Sequence, residues 1–265
     1  MKQSQPPSNR YAALIEGIFL AGYQDGLVEV PFERHDLVDM ARRLRIRLPK
    51  NIGDVIYSIR YRMAMPTAIT KTQPAGMEWL IEGRGKSRYA FRLAAANRIV
   101  PNPCFAAIKI PDATPEIVGF YALSDEQALL AKVRYNRLLD VFLGVTAYSL
   151  QSHLRTTVKD LGQVEIDEIY VAIDKRGRQF VLPVQAKGGT DRLSTVQTRQ
   201  DILCCAEKYP QLVCRAISAQ FVNRHHIALF ELAMDGDEVR IVEERHYQLV
   251  PADRITADDL SSYDR

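Results

Sequence analysis

Residues 165–187 read Glu165-Ile166-Asp167-Glu168-Ile169-Tyr170-Val171-Ala172-Ile173-Asp174-Lys175-Arg176-Gly177-Arg178-Gln179-Phe180-Val181-Leu182-Pro183-Val184-Gln185-Ala186-Lys187. β-Branched and aromatic residues on either side of a polar turn containing Gly177 predict strand, turn, strand. Residues two apart on a strand share a face. Glu165 and Asp167 therefore point one way, and Gln185 and Lys187 share a face at the end of the second strand. Where pairing brings those faces together, two carboxylates, an amide oxygen and an ammonium meet at one end of the hairpin. Oxygen ligands of this kind suit Mg²⁺, and a neighbouring Lys orients water or offsets charge on a phosphate. Val181–Val184 reads as buried, yet it runs straight into Gln185-Ala186-Lys187-Gly188-Gly189. Polar groups directly after a buried strand, followed by two glycines, mark a site at a strand end.

The arrangement resembles the PD-(D/E)xK nuclease superfamily, the fold of many type II restriction endonucleases. In that family an acidic residue opens one strand, and an acid-x-Lys tripeptide ends the next. Asp167 matches the first acid and Lys187 matches the lysine. Gln185 stands where the family usually has Glu or Asp, and this is a departure. Its carbonyl oxygen still offers a metal ligand, but without charge, and Glu165 on the neighbouring strand is placed to supply the missing carboxylate. The resemblance spans roughly residues 125 to 230. It implies an α/β (α+β) fold with a restriction-endonuclease-like mixed central sheet flanked by helices. It also implies a catalytic set of Asp167, Gln185, Lys187 and Glu165. Asp167, Glu165 and Gln185 would hold Mg²⁺, with Mn²⁺ as its substitute. A helix ahead of the first catalytic strand often supplies another acid in this family, and Glu126 and Asp140 are the candidates. Some relatives carry a Gln on the helix after the second strand, which marks Gln197 and Gln200. Glu168 alternates to the other face and is a lesser candidate.

The chain has 265 residues, enough for two ordinary domains. Apolar residues make up 47% and charged residues 25%, a globular balance. No apolar run of membrane-spanning length occurs, and Met1–Asn9 is polar with two prolines and has no apolar signal core, so a cytoplasmic location is the expectation. Cys104, Cys204, Cys205 and Cys214 form no Cys-x-x-Cys pair and suit reduced packing residues better than a zinc set. No Gly-x-Gly-x-x-Gly, phosphate-binding loop or Gly-x-Ser-x-Gly is present, which argues against a small-molecule enzyme of those kinds.

Charge is unevenly spread. Ala41 to Ala95 holds twelve basic residues against three acidic ones, +9, so the rest of the chain carries −6 against a total of +3. That polarisation points to a polyanion partner for the N-terminal third. Helical faces are expected over Tyr11–Gly22, Leu37–Leu44 and Ile52–Tyr61, the last with Asn51 as N-cap. Helix, short turn, helix is the outline of a helix-turn-helix. Glu78–Glu82 and Arg88–Arg92 then form a hairpin with a basic, glycine-rich tip, which resembles the wing of a winged-helix domain. On this reading Lys50, Asn51, Arg60, Arg62, Arg84, Lys86 and Arg88 bind DNA, mostly through phosphate.

The expected organisation is a winged-helix-like DNA-binding domain over residues 1–96, a connector with one strand over 97–123, and a nuclease-like domain over 124–265. Glu116–Ala122 reads as a strand. Asp125–Leu143 and Thr146–Leu154 read as helices separated by Gly144, Thr195–Glu207 as a helix, and three further strands follow. His153 and Arg155 are candidates for touching a phosphate, whereas the His225-His226 pair alternates across a strand and is assigned no role. The function expected from all this is a Mg²⁺-dependent type II restriction endonuclease acting on double-stranded DNA. A homodimer is expected for a palindromic target. The alternatives are a repair or junction-resolving nuclease and a non-catalytic winged-helix regulator.

Overall fold

The computed structural model describes residues 7–61, 63–95, 98–121, 125–159, 161–188, 193–236 and 238–263. The chain divides into two compact units. One is Met1–Ala96 with Lys159–Gly162; the other is Asn97–Val158 with Gln163–Arg265.

In the first unit the elements are α1 (Pro7–Gly22), β1 (Glu29–Glu33), α2 (Arg34–Leu44), α3 (Gly53–Tyr61), α4 (Thr67–Thr70), β2 (Met77–Gly83) and β3 (Arg88–Ala95). Leu14, Ile15, Ile18 and Phe19 place one face of α1 in the core, and Val55, Ile56 and Ile59 do so for α3. Spacing of one and of three to four residues is what a single helical face requires. β1 alternates strictly, burying Val30 and Phe32. The three strands form an antiparallel sheet in the order β1-β3-β2. Phe19 joins helix to sheet by packing edge-on against Trp79 and Phe91, with centroids 5.0 and 5.1 Å apart. The buried indole donates its N–H to Thr72 Oγ1 at 2.9 Å, so its one polar atom is satisfied. α2 starts with a reciprocal capping box between Glu33 and Asp36. Asn51 Oδ1 accepts the Gly53 N–H at 3.1 Å at the start of α3.

The second unit contains β4 (Arg98–Ile99), β5 (Ala107–Pro111), α5 (Glu116–Tyr121), α6 (Asp125–Tyr135), α7 (Leu138–Leu143), β6 (Thr146–Val158), β7 (Gly162–Ile173), β8 (Gln179–Lys187), β9 (Leu193–Ser194), α8 (Thr195–Lys208), β10 (Val213–Cys214), β11 (Ala216–Asn223), β12 (His226–Asp235), β13 (Glu238–Val250) and α9 (Ala257–Tyr263). Its main sheet runs β5-β13-β12-β11-β8-β7-β6, with β10 also paired to β8. The sheet is mixed: β8 runs antiparallel to β7 and parallel to β11, while β12 is antiparallel to both its neighbours. Successive strand residues divide between two faces. Tyr170, Leu182, Val184, Ile217 and Leu229 meet Leu129, Val133 and Leu138 of α6 and α7 on one face. Ala216, Phe230 and Leu232 meet Ile202 of α8 and Ile99 on the other. The architecture is therefore an α/β arrangement with helices on both sides of a mixed sheet. No helix among the described residues is long and apolar enough to cross a membrane.

Three local expectations change. Thr146–Leu154, expected as helix, lies in the strand β6. Glu116–Ala122, expected as strand, contains the helix α5, where backbone bonds from Val118 and Gly119 to Pro115 O close the first turn. Residues 97–123, read as a connector, contribute β4, β5 and α5 to the second unit, and β5 pairs parallel with β13. α7 ends as expected at Gly144, whose φ of 64° suits a glycine in the left-handed region. The tail docks: Lys109 Nζ lies 2.8 Å from Asp259 Oδ2, and the Tyr263 hydroxyl accepts the Lys109 N–H at 2.9 Å.

Candidate active site at the β7–β8 strand ends

Strand alternation fixes which groups share a face. In the β7–β8 pair, Glu168 is opposite Val184 and Tyr170 opposite Leu182, on the face covered by α6. Extending that register by one residue sets Asp167 opposite Gln185 on the other face. Asp167 Oδ2 accepts the Ala186 N–H at 2.9 Å, which ties the carboxylate to the last turn of pleat before Lys187.

Asp167, Lys187 and Glu126 come together here. Lys187 Nζ lies 3.3 Å from Glu126 Oε1, the glutamate reaching in from the start of α6. Burial raises the Asp167 carboxyl above its ordinary range, and the Glu126 charge adds to that; the Lys187 ammonium, the Ala186 N–H and nearby His153 pull it down. Two carboxyl groups thus flank one ammonium, Asp167 and Lys187 largely buried and the Glu126 side chain 44% exposed. Asp140, the other helix acid considered, is elsewhere. Its Oδ1 accepts the Ala147 N–H and an Arg137 N–H, each at 2.7 Å, and so joins α7 to β6.

Gln185 is at the site's wall rather than its mouth. It is 1% exposed. Its Oε1 accepts from Gln197 Nε2 at 2.7 Å, while its own Nε2 donates to Asp201 Oδ2 at 2.9 Å and to the Glu165 carbonyl at 3.2 Å. The carbonyl oxygen that the sequence offered as a metal ligand thus faces α8. The two acceptors on its other side hold the amide in that orientation. Glu165 accepts from Arg155 Nη2 at 3.1 Å on the neighbouring strand β6. His153, also on β6, has a φ of 51°, a left-handed conformation uncommon for a non-glycine residue in a strand.

Asp201 had not been singled out from the sequence. Gln197 and Asp201 are four apart on α8, so one helical face presents both to Gln185; that spacing was the available signal. Burial holds the Asp201 carboxyl well above the usual carboxylate range, and the Asp167 charge adds to this against the Gln185 hydrogen bond. Among the described residues its Oδ1 is buried without a hydrogen-bond partner, as is the hydroxyl of Ser218, which pairs with Gln185 in the β8–β11 register.

Glu168 faces away from this site, as alternation requires. It is fully buried and accepts from Arg134, from the Tyr170 hydroxyl at 2.7 Å, and from Ser149 and Ser152 at 3.2 and 3.3 Å. It anchors β7 to β6 and α6.

Among the described residues no group of three or more His, Cys, Asp and Glu side chains converges in metal-holding geometry. Asp167 and Glu126, the second ion-paired to Lys187 and both within electrostatic reach of one another, are oxygen donors of the kind a hard cation takes. Mg²⁺ is typically held by one or two carboxylates, with water and substrate phosphate completing its shell. Asp167 and Glu126 are the carboxyl groups here that could face a cation, whereas the Gln185 oxygen accepts from Gln197 and Glu165 accepts from Arg155.

In the first unit, the basic residues differ in how free they are. Arg84 is bound to Glu29 through two hydrogen bonds of 3.2 and 2.9 Å and to buried Glu82 at 3.1 Å. Lys86 and Arg88 are exposed at the β2–β3 tip, where Gly85 and Ser87 take positive φ, and neither has a side-chain ion pair among the described residues. Lys50 and Asn51 are exposed before α3, Asn51 serving as a cap. Arg60 is half-buried on α3, and Arg62 lies outside the described residues.

Comparison with known proteins returned no match: no protein-family model, no curated protein and no solved structure aligns with this chain.

Proposed function

We infer that the chain is a Mg²⁺-dependent endonuclease of the PD-(D/E)xK kind acting on duplex DNA, with a type II restriction enzyme as the leading form. The observation that carries this reading is the meeting of Asp167, Lys187 and Glu126 at one end of the β7–β8 pair. The mixed sheet with α6 and α8 on opposite faces supports it, as does the +9 charge of the stretch from Ala41 to Ala95. The order α1, β1, α2, α3, then the β2–β3 hairpin agrees with a winged-helix-like reader.

Asp167 and Glu126 would hold the metal. Bound there, Mg²⁺ supplies polarisation of the scissile phosphate and a water of lowered pKa. Phosphodiester hydrolysis would add a water oxygen to phosphorus, break one phosphorus–oxygen ester bond and pass the water's proton to the departing alkoxide. Lys187 offsets the charge that builds on the phosphoryl oxygens, an effect strengthened by its low exposure. The Gln197–Gln185–Asp201 chain fixes the end of β8 from behind, so that Asp167 and Lys187 keep their spacing. Incubating the protein with plasmid DNA, with and without Mg²⁺ or Mn²⁺, tests the reading. Metal-dependent cleavage into discrete fragments supports a restriction enzyme, and preference for branched DNA supports a resolving or repair enzyme. A homodimer would follow from a two-fold symmetric target.

A second reading is favoured by Gln185, an uncharged residue whose oxygen is taken by Gln197. On it the chain is a duplex-binding regulator with a silent nuclease-like unit. It predicts duplex binding that survives Lys187→Ala, with no cleavage in either metal.

A further inference from the structure

The far end of the β7–β8 pair carries a second constellation. There the turn Asp174–Arg178 borders an open cavity of about 380 Å³, closed on another side by the α7–β6 connection at Leu143–Val145 and on a third by Arg215. Four cations line it: Lys175, Arg176, Arg178 and Arg215.

Two of these are already paired. Asp174 Oδ2 accepts from Arg178 Nε at 2.8 Å, and its Oδ1 accepts the Arg176 and Arg178 backbone N–H groups at 2.8 and 3.0 Å, which makes the turn rigid. Arg215 binds Glu231 through two hydrogen bonds of 2.6 and 2.7 Å. Both guanidiniums sit against the Phe180 ring, 5.6 and 5.7 Å from its centroid. Arg215 is largely buried and Arg178 65% exposed, and their charges are balanced by Glu231 and Asp174 beside the Phe180 ring.

The other two are not paired. Lys175 and Arg176 are exposed on the same turn, and neither side chain has a hydrogen bond or ion pair among the described residues. Their two charges are unbalanced at the mouth of a concave site, where field lines concentrate and an anion is attracted. A doubly charged phosphate matches that surplus, and Arg176 offers it a planar pair of donors. The volume exceeds what a lone phosphate fills and falls within the range of small-molecule pockets.

We propose that this cavity binds the phosphate group of a small phosphorylated ligand of mononucleotide size, with Lys175 and Arg176 as the phosphate contacts over the Arg178–Phe180–Arg215 floor. The proposal stands apart from the nuclease reading, because it concerns the opposite end of the hairpin and its test reads binding alone.

The test is calorimetric titration of the full chain at low salt with inorganic phosphate, a nucleoside 5′-monophosphate and a short duplex lacking terminal phosphates. The expected result is measurable binding of the monophosphate, weaker binding of inorganic phosphate, and a loss of about tenfold or more for both in Lys175→Ala/Arg176→Ala. The charge-keeping pair Lys175→Arg/Arg176→Lys is expected to retain binding of both. Raising the salt tenfold should weaken it in the wild type, since the contacts are exposed. Absence of binding by both small anions would overturn the proposal, as would equal affinity in wild type and the alanine pair. A loss confined to the duplex would also overturn it, by assigning the two cations to nucleic-acid backbone instead.

Discussion

Lys187 Nζ lies 3.3 Å from Glu126 Oε1, joining the end of β8 to the start of α6 across 61 positions of sequence. With Asp167 beside them, this contact puts a second carboxylate where Gln185 supplies none. Glu126→Gln keeps the shape and removes the charge. It is expected to weaken Mg²⁺ affinity by about 10- to 100-fold. The same change should leave duplex binding in the absence of metal unchanged. Titrating Mg²⁺ while following cleavage checks the first half, and anisotropy titration of a duplex without metal checks the second.

Asp167 makes a pH-dependent prediction about the metal. Its carboxyl is held above the ordinary range chiefly by burial, so binding a cation must displace a proton over part of the mildly acidic range. The rise in melting temperature caused by Mg²⁺ should therefore grow as pH increases through that range. Asp167→Asn should abolish the rise at every pH. Thermal melts at fixed Mg²⁺ over a pH series measure this directly.

Asp201 predicts the opposite trend for the metal-free fold. Its folded-state pKa is raised above the unfolded value by burial. Below the unfolded pKa both states keep the proton and nothing is lost. As pH rises beyond it, the unfolded chain gives up its proton first, and stability falls until the folded pKa is passed. Asp201→Asn removes that loss, keeps an oxygen for the Gln185 N–H, and gives the buried position of Oδ1 an uncharged group. Its melting temperature should exceed the wild type's by a few degrees at neutral pH. The two should converge near pH 4, around the unfolded carboxylate value. A variant destabilised equally at both pH values would contradict this assignment.

Glu168 tests the scaffold rather than the chemistry. Glu168→Ala leaves a buried Tyr170 hydroxyl and part of Arg134 without their acceptor, and should cost about 3 kcal/mol. Tyr170→Phe removes one donor and should cost about 1 kcal/mol. Urea unfolding of both variants measures these values.

The basic hairpin tip separates two kinds of arginine. Lys86→Ala and Arg88→Ala should each lower the salt dependence of duplex binding by about one unit of slope. Arg84→Ala should instead cost stability, because Arg84 is held by Glu29 and balances buried Glu82. Anisotropy titrations over a salt series, set beside thermal melts, distinguish the two.

The reasons some of this was legible in the sequence are local. α1, α2 and α3 each bury a face whose period is written in their own residues, and the β2–β3 and β7–β8 hairpins carry their turn residues between them. The β6 segment reads as helix from its sequence because the strand lies at the edge of the sheet with most positions exposed. Exposure leaves no alternating pattern to read, and Ala147, Leu150 and Leu154 happen to fall at helical spacing. The α5 segment reads as strand for a related reason. Ile117, Val118, Phe120 and Tyr121 have strand propensity, and no residue of that helix is buried to impose a period. At the site, Asp167 and Lys187 were legible because alternation along a strand is a local property. The fate of Gln185 was not, since it depends on Gln197 and Asp201 arriving from a helix packed across the sheet.

The central claim is that Asp167 and Lys187 form a phosphodiester-hydrolysing site. It is tested most directly by measuring Mg²⁺-dependent cleavage of plasmid DNA by wild type, Asp167→Ala and Lys187→Ala, with duplex affinity recorded on the same samples. Cleavage by the wild type that falls at least about 100-fold in both variants, at unchanged duplex affinity, is the predicted result. Cleavage by Asp167→Ala at the wild-type rate would contradict the claim, and so would duplex binding with no cleavage by the wild type in either Mg²⁺ or Mn²⁺.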